Sequence, residues 1–187
     1  IVEITPLPMP HPSGLDVLSI VLESDGKDEW CELHPIENFR HASSEELLER
    51  IRDAGIVGLG GAGFPSYIKL NPGQLFAIET LILNGADVEP YITCDDMLML
   101  ERAAEVIAGI KIMRHALQAK RCVIAVEDNK PEAYQALCAA TKDEDIDVTQ
   151  VPTLYPQGGE KQLIKVITGK ECPSNGLPFE IGVIVHN

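Results

Sequence analysis

The chain has 187 residues, of which 45% are apolar, 24% charged and 5% aromatic, and its formal net charge is −14. That length suits one domain, or one plus a fragment, burying roughly 70% of its unfolded surface in a core of Leu, Ile, Val and Ala. The acidity argues against nucleic acid or an anionic membrane surface as a direct partner, since both need clustered Lys and Arg, and the five cysteines at 31, 94, 122, 138 and 172 lie too far apart for zinc or iron–sulfur ligation.

Their odd number also argues against a disulfide framework, so a reducing compartment is the default. Residues 1–14 carry Pro6, Pro8, Pro10 and Pro12 and predict an extended connector or edge segment. Residues 17–23 and 29–33, joined by the turn-forming 24–28, predict a β-hairpin, which divides the chain into a connector and hairpin over 1–42 and an α/β domain over 43–187. Ser43 and Glu46 form a capping box, Leu47, Leu48, Ile51 and Ala54 share one face, and Gly55 stands where a helix ends, predicting a helix over 44–54.

That helix leads into Gly58-Leu59-Gly60-Gly61-Ala62-Gly63-Phe64-Pro65. Clustered glycines let bare backbone amides approach an anion, and Pro65 suits the first turn of a following helix. The spacing of Gly58, Gly60 and Gly63 satisfies the dinucleotide fingerprint, but a helix rather than a strand precedes it, which sets it apart from an ordinary Rossmann first turn. A flexible turn between two elements is the plainer alternative.

Beyond the loop, strands are expected at 80–83, 122–126, 146–151 and 181–185, and helices at 95–117, 131–141 and 159–168. The apolar stretch 98–117 is broken by Glu101, Arg102, Glu105, Lys111, Arg114 and His115, so it reads as a buried helix and no direct membrane span is expected. Apolar strands alternating with helices predict an α/β fold with a doubly wound, mostly parallel Rossmann-like sheet, helices on both faces, preceded by the hairpin and the first helix. Such sheets bind ligands beyond the carboxyl ends of their strands. Two polar loops fall there: one carries Asn84, Asp87 and Glu89, the other Tyr155, Gly158, Gly159 and Glu160. Each residue also has a structural alternative: solvated turns for the acids, a core anchor for Phe64, a surface charge for Lys69, a tight turn for Asn84-Gly85, a core ring for Tyr155.

Taken together, GLGGAGFPSYIKL at 58–70, NGADVEPYITCDD at 84–96, IAVEDNKPEA at 124–133 and YPQGGEKQLI at 155–164 resemble the C component of the Rnf electron transport complex. More distantly, they are similar to the flavin-binding subunit of respiratory complex I. The resemblance extends over essentially the whole chain, including PHPSGL at 10–15 and EELLERIRDAG at 45–55. It implies noncovalent FMN as cofactor and NADH as substrate. On that resemblance Gly58, Gly60, Gly61 and Gly63 line the flavin and Lys69 contacts it, while Asn84, Asp87 and Asn187 fall at flavin-site positions. Phe64 stands where a ring stacks on NADH, Glu89 near the nicotinamide, and Glu160, with Gly158 and Gly159 beside it, at the ribose hydroxyls; Tyr155 is a candidate for the pocket wall. Val88, where relatives often carry cysteine, and Ala86, in place of an acid, depart from the pattern and alter the polarity near the ring.

The implied reaction is hydride transfer from NADH to FMN, then electron transfer to iron–sulfur clusters held outside this fragment. No side chain is required as an obligatory acid or base, no resident metal is expected, and His11, His34, His41, His115 and His186 are read as surface or structural. The implied partners are the other members of a membrane-bound complex, placing the domain peripherally at the cytoplasmic face of the bacterial inner membrane. The chain reads as the central flavin domain of a longer polypeptide, ending within a motif at Asn187. A related cobalamin reductase of bacterial microcompartments and a non-catalytic docking module without flavin stay open as alternatives.

Overall fold

The computed structural model describes residues 1–9, 12–59, 62–73, 76–86 and 91–187. They form two compact units, residues 1–36 and 37–187. In the first, β1 (Glu3–Pro8) pairs antiparallel with β2 (Asp16–Val21), Glu3 opposite Val21 and Pro8 opposite Asp16. The hairpin expected between 17–23 and 29–33 is therefore replaced, because the proline-rich segment is itself the partner strand and 22–36 carries neither helix nor strand. Pro6 and Pro8 lie two residues apart, so their missing N–H groups fall on the same edge of β1. A two-stranded ribbon leaves one edge of each strand unpaired, where that loss costs no ladder hydrogen bond.

The second unit begins with a 3₁₀ turn, Phe39–His41. Residues 37–42, grouped on sequence with the N-terminal segment, pack here: the Phe39 ring meets His115 edge to face at 5.9 Å, and the Ala42 carbonyl oxygen lies 3.0 Å from His115 Nε2. Helix α1 (Ser44–Asp53) starts as its sequence predicts, with Ser43 Oγ accepting from the Glu46 N–H at 3.1 Å. Leu47 and Ile51 are buried, and Gly55 follows at φ 67°, the left-handed conformation that ends many helices.

There follow α2 (Ser66–Lys69), β3 (Thr80–Gly85), α3 (Cys94–Glu101), α4 (Ala103–Leu117), β4 (Arg121–Glu127), α5 (Pro131–Ala140), β5 (Asp147–Val151), α6 (Glu160–Thr168) and β6 (Val183–His186). The single helix expected over 95–117 is two, separated at Arg102, whose φ of −129° and ψ of 32° leave helical space. Arg102 closes α3 by donating its N–H to the Leu98 carbonyl and opens α4 by accepting from the N–H groups of Glu105 and Val106. Among the described residues no helix is long and apolar enough to cross a membrane.

The four strands of this unit are parallel, in the order β5-β4-β3-β6. Strand side chains alternate between faces. Leu81, Cys122, Ile124, Val126 and Ile184 pack in one cluster with Ile51 of α1, Ile107 and Ile110 of α4 and Leu137 of α5. Ile82, Ala125, Val151, Val183 and Val185 pack in another with Leu163 and Ile164 of α6. Each fully buried Leu or Ile contributes about 1.5–3 kcal/mol, so both faces are strongly held. The chain travels outward from β3 to β4 to β5 and then returns through α6 to the far side of β3. Because parallel crossovers are right-handed, that reversal carries α6 to the opposite face and creates a topological switch point between β3 and β6.

Candidate functional site

At this switch point lies a cavity of about 290 Å³. Asn84 of β3 and Val185, His186 and Asn187 at the end of β6 line it, facing Gly58, Ala62, Gly63 and Phe64 of the glycine loop, Lys69 of α2, and Gly158 and Glu160 where α6 begins. Four segments far apart in sequence meet there because the sheet places the ends of the neighbouring strands β3 and β6 together, and the glycine loop and the turn before α6 fold over them.

The glycine loop is closed at its base. Gly58 N–H donates to the Phe64 carbonyl at 2.9 Å, Val57 and Pro65 form an antiparallel bridge, and Ser66 N–H donates to the Ile56 carbonyl at 3.1 Å. Gly63, at φ 59°, takes a left-handed conformation that a side chain would strain. Pro65 stands at the N-cap of the one-turn α2, one place earlier than expected, and Lys69 ends that turn. Lys69 Nζ lies 2.8 Å from Glu160 Oε1, and the two side chains are 32% and 36% exposed.

Asn84 ties the end of β3 to the turn before α6: its Nδ2 donates to the Gly158 carbonyl at 2.9 Å, and its Oδ1 accepts from the Ala86 N–H at 3.1 Å. Asn187 donates from Nδ2 to Asp95 Oδ2 at 3.0 Å, while its Oδ1 is buried with no partner. His186 is buried, its Nε2 2.9 Å from Ser66 Oγ and its Nδ1 2.7 Å from the Asn187 carbonyl. Burial pushes its pKa below the ordinary histidine value; the hydrogen bond to Asn187 opposes this and the Lys69 charge adds to it. The ring is therefore neutral at physiological pH.

Of the residues singled out on sequence, Gly58, Gly63, Phe64, Lys69, Asn84, Gly158, Glu160 and Asn187 line the cavity. Gly60, Gly61, Asp87 and Glu89 lie outside the described residues. Tyr155 does not join the cavity wall: it is 80% exposed. Gly159 is the N-cap of α6, and a Cβ there would come within 2.5 Å of Gln162 Oε1 and 3.0 Å of the Pro156 carbonyl, so its role is close packing behind the site. Ala62, Val185 and His186 join the wall without having been marked by the sequence. The last sits at the end of the apolar run 183–185 and beside Asn187, the one signal that could have drawn it in.

The donor set fits a flat ring with polar edges and an anionic tail. Asn187 Oδ1 is an acceptor that a ring N–H would satisfy, Lys69 supplies positive charge, glycine backbone permits close approach, and Phe64, 48% exposed, offers a face for stacking. Flavin mononucleotide has those features.

A parallel α/β sheet with such a cavity at its switch point defines the class of nucleotide-cofactor domains. The sequence profile of the Nuo51 FMN-binding domain matches residues 51–187, and the chain belongs to that family. It is 51% identical over 184 residues to the C component of the ion-translocating oxidoreductase complex of Vibrio cholerae serotype O1, a match covering 98% of this chain and 24% of that protein. The same component in Pseudomonas aeruginosa is 50% identical over 180 residues, covering 96% of this chain and 23% of the relative. The chain thus spans about a quarter of the length of these relatives. Among solved structures, the NAD+-reducing NiFe hydrogenase in its H2-reduced state resembles it with a TM-score of 0.62 at 22% identity, covering 82% of this chain and 30% of that one, a likeness of fold.

Proposed function

We propose that the chain is the NADH-oxidising flavin domain in the C component of an ion-translocating electron transport complex. The observation that carries this reading is the convergence of Gly58, Gly63, Lys69, Asn84 and Asn187 on one cavity that retains an unpartnered buried acceptor. In this reading the glycine backbone, Lys69, Asn84 and Asn187 hold FMN noncovalently, with Gly60, Gly61 and Asp87 beside them. Phe64 stacks on the dinucleotide, Glu89 stands near the nicotinamide, and Glu160 accepts the ribose hydroxyls. A carboxylate in that role disfavours a 2′-phosphate by charge repulsion, which selects NADH over NADPH.

FMN, when bound, supplies the capacity to accept a hydride and release its electrons singly, here toward iron–sulfur clusters carried elsewhere in the complex. The chain's own residues contribute distance, stacking and electrostatics. Through the other members of the complex the domain sits peripherally on the cytoplasmic face of the bacterial inner membrane.

The test is a visible spectrum of the purified chain titrated with FMN and then with NADH under anaerobic conditions. Stoichiometric binding followed by bleaching of the flavin band is expected. A folded chain that never takes up FMN removes the flavin reading, and bound FMN that NADH leaves oxidised removes the donor assignment alone. Glu160→Gln should narrow the preference for NADH over NADPH; an unchanged ratio counts against the ribose contact.

A further inference from the structure

Lys69 is the one cationic side chain among the described residues lining the cavity, and it is already engaged by Glu160 at 2.8 Å. The two belong to different elements, Lys69 to the end of α2 and Glu160 to the first position of α6, so the pair closes the gap between glycine loop and α6 turn. An anionic ligand entering a chain of net charge −14 meets a lysine whose charge is held by a carboxylate. It must compete with the Glu160 carboxylate for that lysine.

We propose that Glu160 restrains flavin binding through Lys69, and that arrival of FMN releases the Glu160 carboxylate to accept hydroxyls from a second ligand. The inference rests on the flavin reading above and adds a coupling to it: each ligand takes one partner of the Lys69–Glu160 pair and frees the other for the second ligand. Glu160 acts here as a positioning residue. Coupling between the two ligands is reciprocal by linkage, so whatever factor FMN adds to nucleotide affinity, nucleotide returns to FMN.

A double-mutant cycle on the whole chain tests this, with FMN affinity read from quenching of flavin fluorescence and folding checked by thermal melts. Glu160→Gln should bind FMN roughly three- to tenfold more tightly at low salt, the scale of a half-exposed ion pair. A residue needed only to hold the fold would weaken binding instead. Lys69→Met should bind FMN more weakly, and adding Glu160→Gln in that background should bring little or no gain. ADP-ribose, which carries the ribose hydroxyls without a redox ring, should bind the wild-type chain more tightly once FMN is present, while in Lys69→Met its affinity should be independent of FMN.

Unchanged or weakened FMN affinity in a folded Glu160→Gln chain overturns the inference and leaves the flavin reading standing, as does an equal gain with and without Lys69. ADP-ribose affinity that ignores FMN in the wild type overturns the coupling. Failure of the folded wild-type chain to bind FMN overturns the flavin reading and this inference together, so the two failures are told apart in the first titration.

Discussion

At the amino edge of the parallel sheet, Arg114 donates to the carbonyl oxygens of Ala119, Lys120 and Asp145 and to the Asp145 carboxylate, Arg121 pairs with Asp147, and Lys170 pairs with Glu79. At the carboxyl edge, by contrast, Asn187 Oδ1 is buried without a partner and Lys69 and Glu160 hold one another while still partly open to solvent. The amino edge also has the wider cavity, about 420 Å³ against about 290 Å³. Yet Lys111 and Arg114, which line it, are paired with Glu144 and Asp145. Volume alone therefore does not favour the carboxyl-edge cavity; what sets it apart is the unpartnered Asn187 Oδ1. The difference follows from helix polarity. In a βαβ layout the carboxyl ends of helices, with orphan carbonyls, arrive at the amino edge and are satisfied by cations such as Arg114, while helix amino ends arrive at the other edge and favour anions.

On the proposed flavin reading, the carboxyl edge couples stability to ligand, while the paired charges of the amino edge serve stability. The largest test is Gly85→Val. A Cβ at Gly85 would stand 2.6 Å from Met99 Sδ and 2.9 Å from the Ala125 carbonyl, and backbone cannot swing aside. Overpacking of this kind should cost about 3 kcal/mol in urea unfolding, and the displaced Asn84 beside it should weaken FMN as well. Arg114→Ala comes next, at about 2 kcal/mol, because it strips charged hydrogen bonds from the Ala119 and Lys120 carbonyls that follow α4 and from the Asp145 carbonyl just before β5. FMN affinity should not change. A parallel loss of FMN binding in Arg114→Ala would erase the distinction between the two edges.

Much of the carboxyl edge is legible in the sequence, for identifiable reasons. The strands are short continuous apolar runs, the capping box at Ser43 and Gly55 bracket α1, and glycine-rich turns after predicted strands point to a ligand rim. What stays hidden depends on partners remote in sequence. His186 is held by Ser66, 120 residues away, and nothing local distinguishes a buried histidine from a surface one. Lys69 and Glu160, 91 residues apart, each read from sequence as facing ligand, and only the fold brings them onto one another. The break at Arg102 carries no Pro or Gly to announce it. The β1–β2 pairing is hidden because prolines fit a connector as well as an edge segment, and only their parity along the strand shows that one edge can still pair.

A smaller effect separates the two roles within the carboxyl edge. Phe64 is half-exposed on the cavity rather than packed in the core, so Phe64→Ala should leave the melting temperature nearly unchanged. If its ring stacks on the dinucleotide, NADH binding should weaken by about 1–3 kcal/mol and FMN by much less. Isothermal titration of each ligand decides this. Equal losses of both would reject the stacking assignment.

The smallest effect concerns a proton. Burial lowers the His186 pKa from its ordinary 6.5, so below that pH the unfolded chain takes up a proton that the folded chain refuses. In the window just below about 6.5 the unfolded state binds more protons, and stability must rise with pH there and fall on acidification, by at most about 1.4 kcal/mol per pH unit for one group. The carboxylates held below their ordinary range, Glu79 by Lys170, Asp128 by Thr153 and Glu171 by Lys165, lose their contribution only lower, beneath their usual values of 3.8 to 4.5. Thermal melts between about pH 8 and about pH 5 therefore isolate the histidine. His186→Gln keeps a hydrogen-bonding side chain beside Ser66 and should flatten that slope. If wild type and variant lose melting temperature in parallel over the window, the proton sensitivity belongs to some other group, and the carboxyl edge is no more responsive to pH than the amino edge.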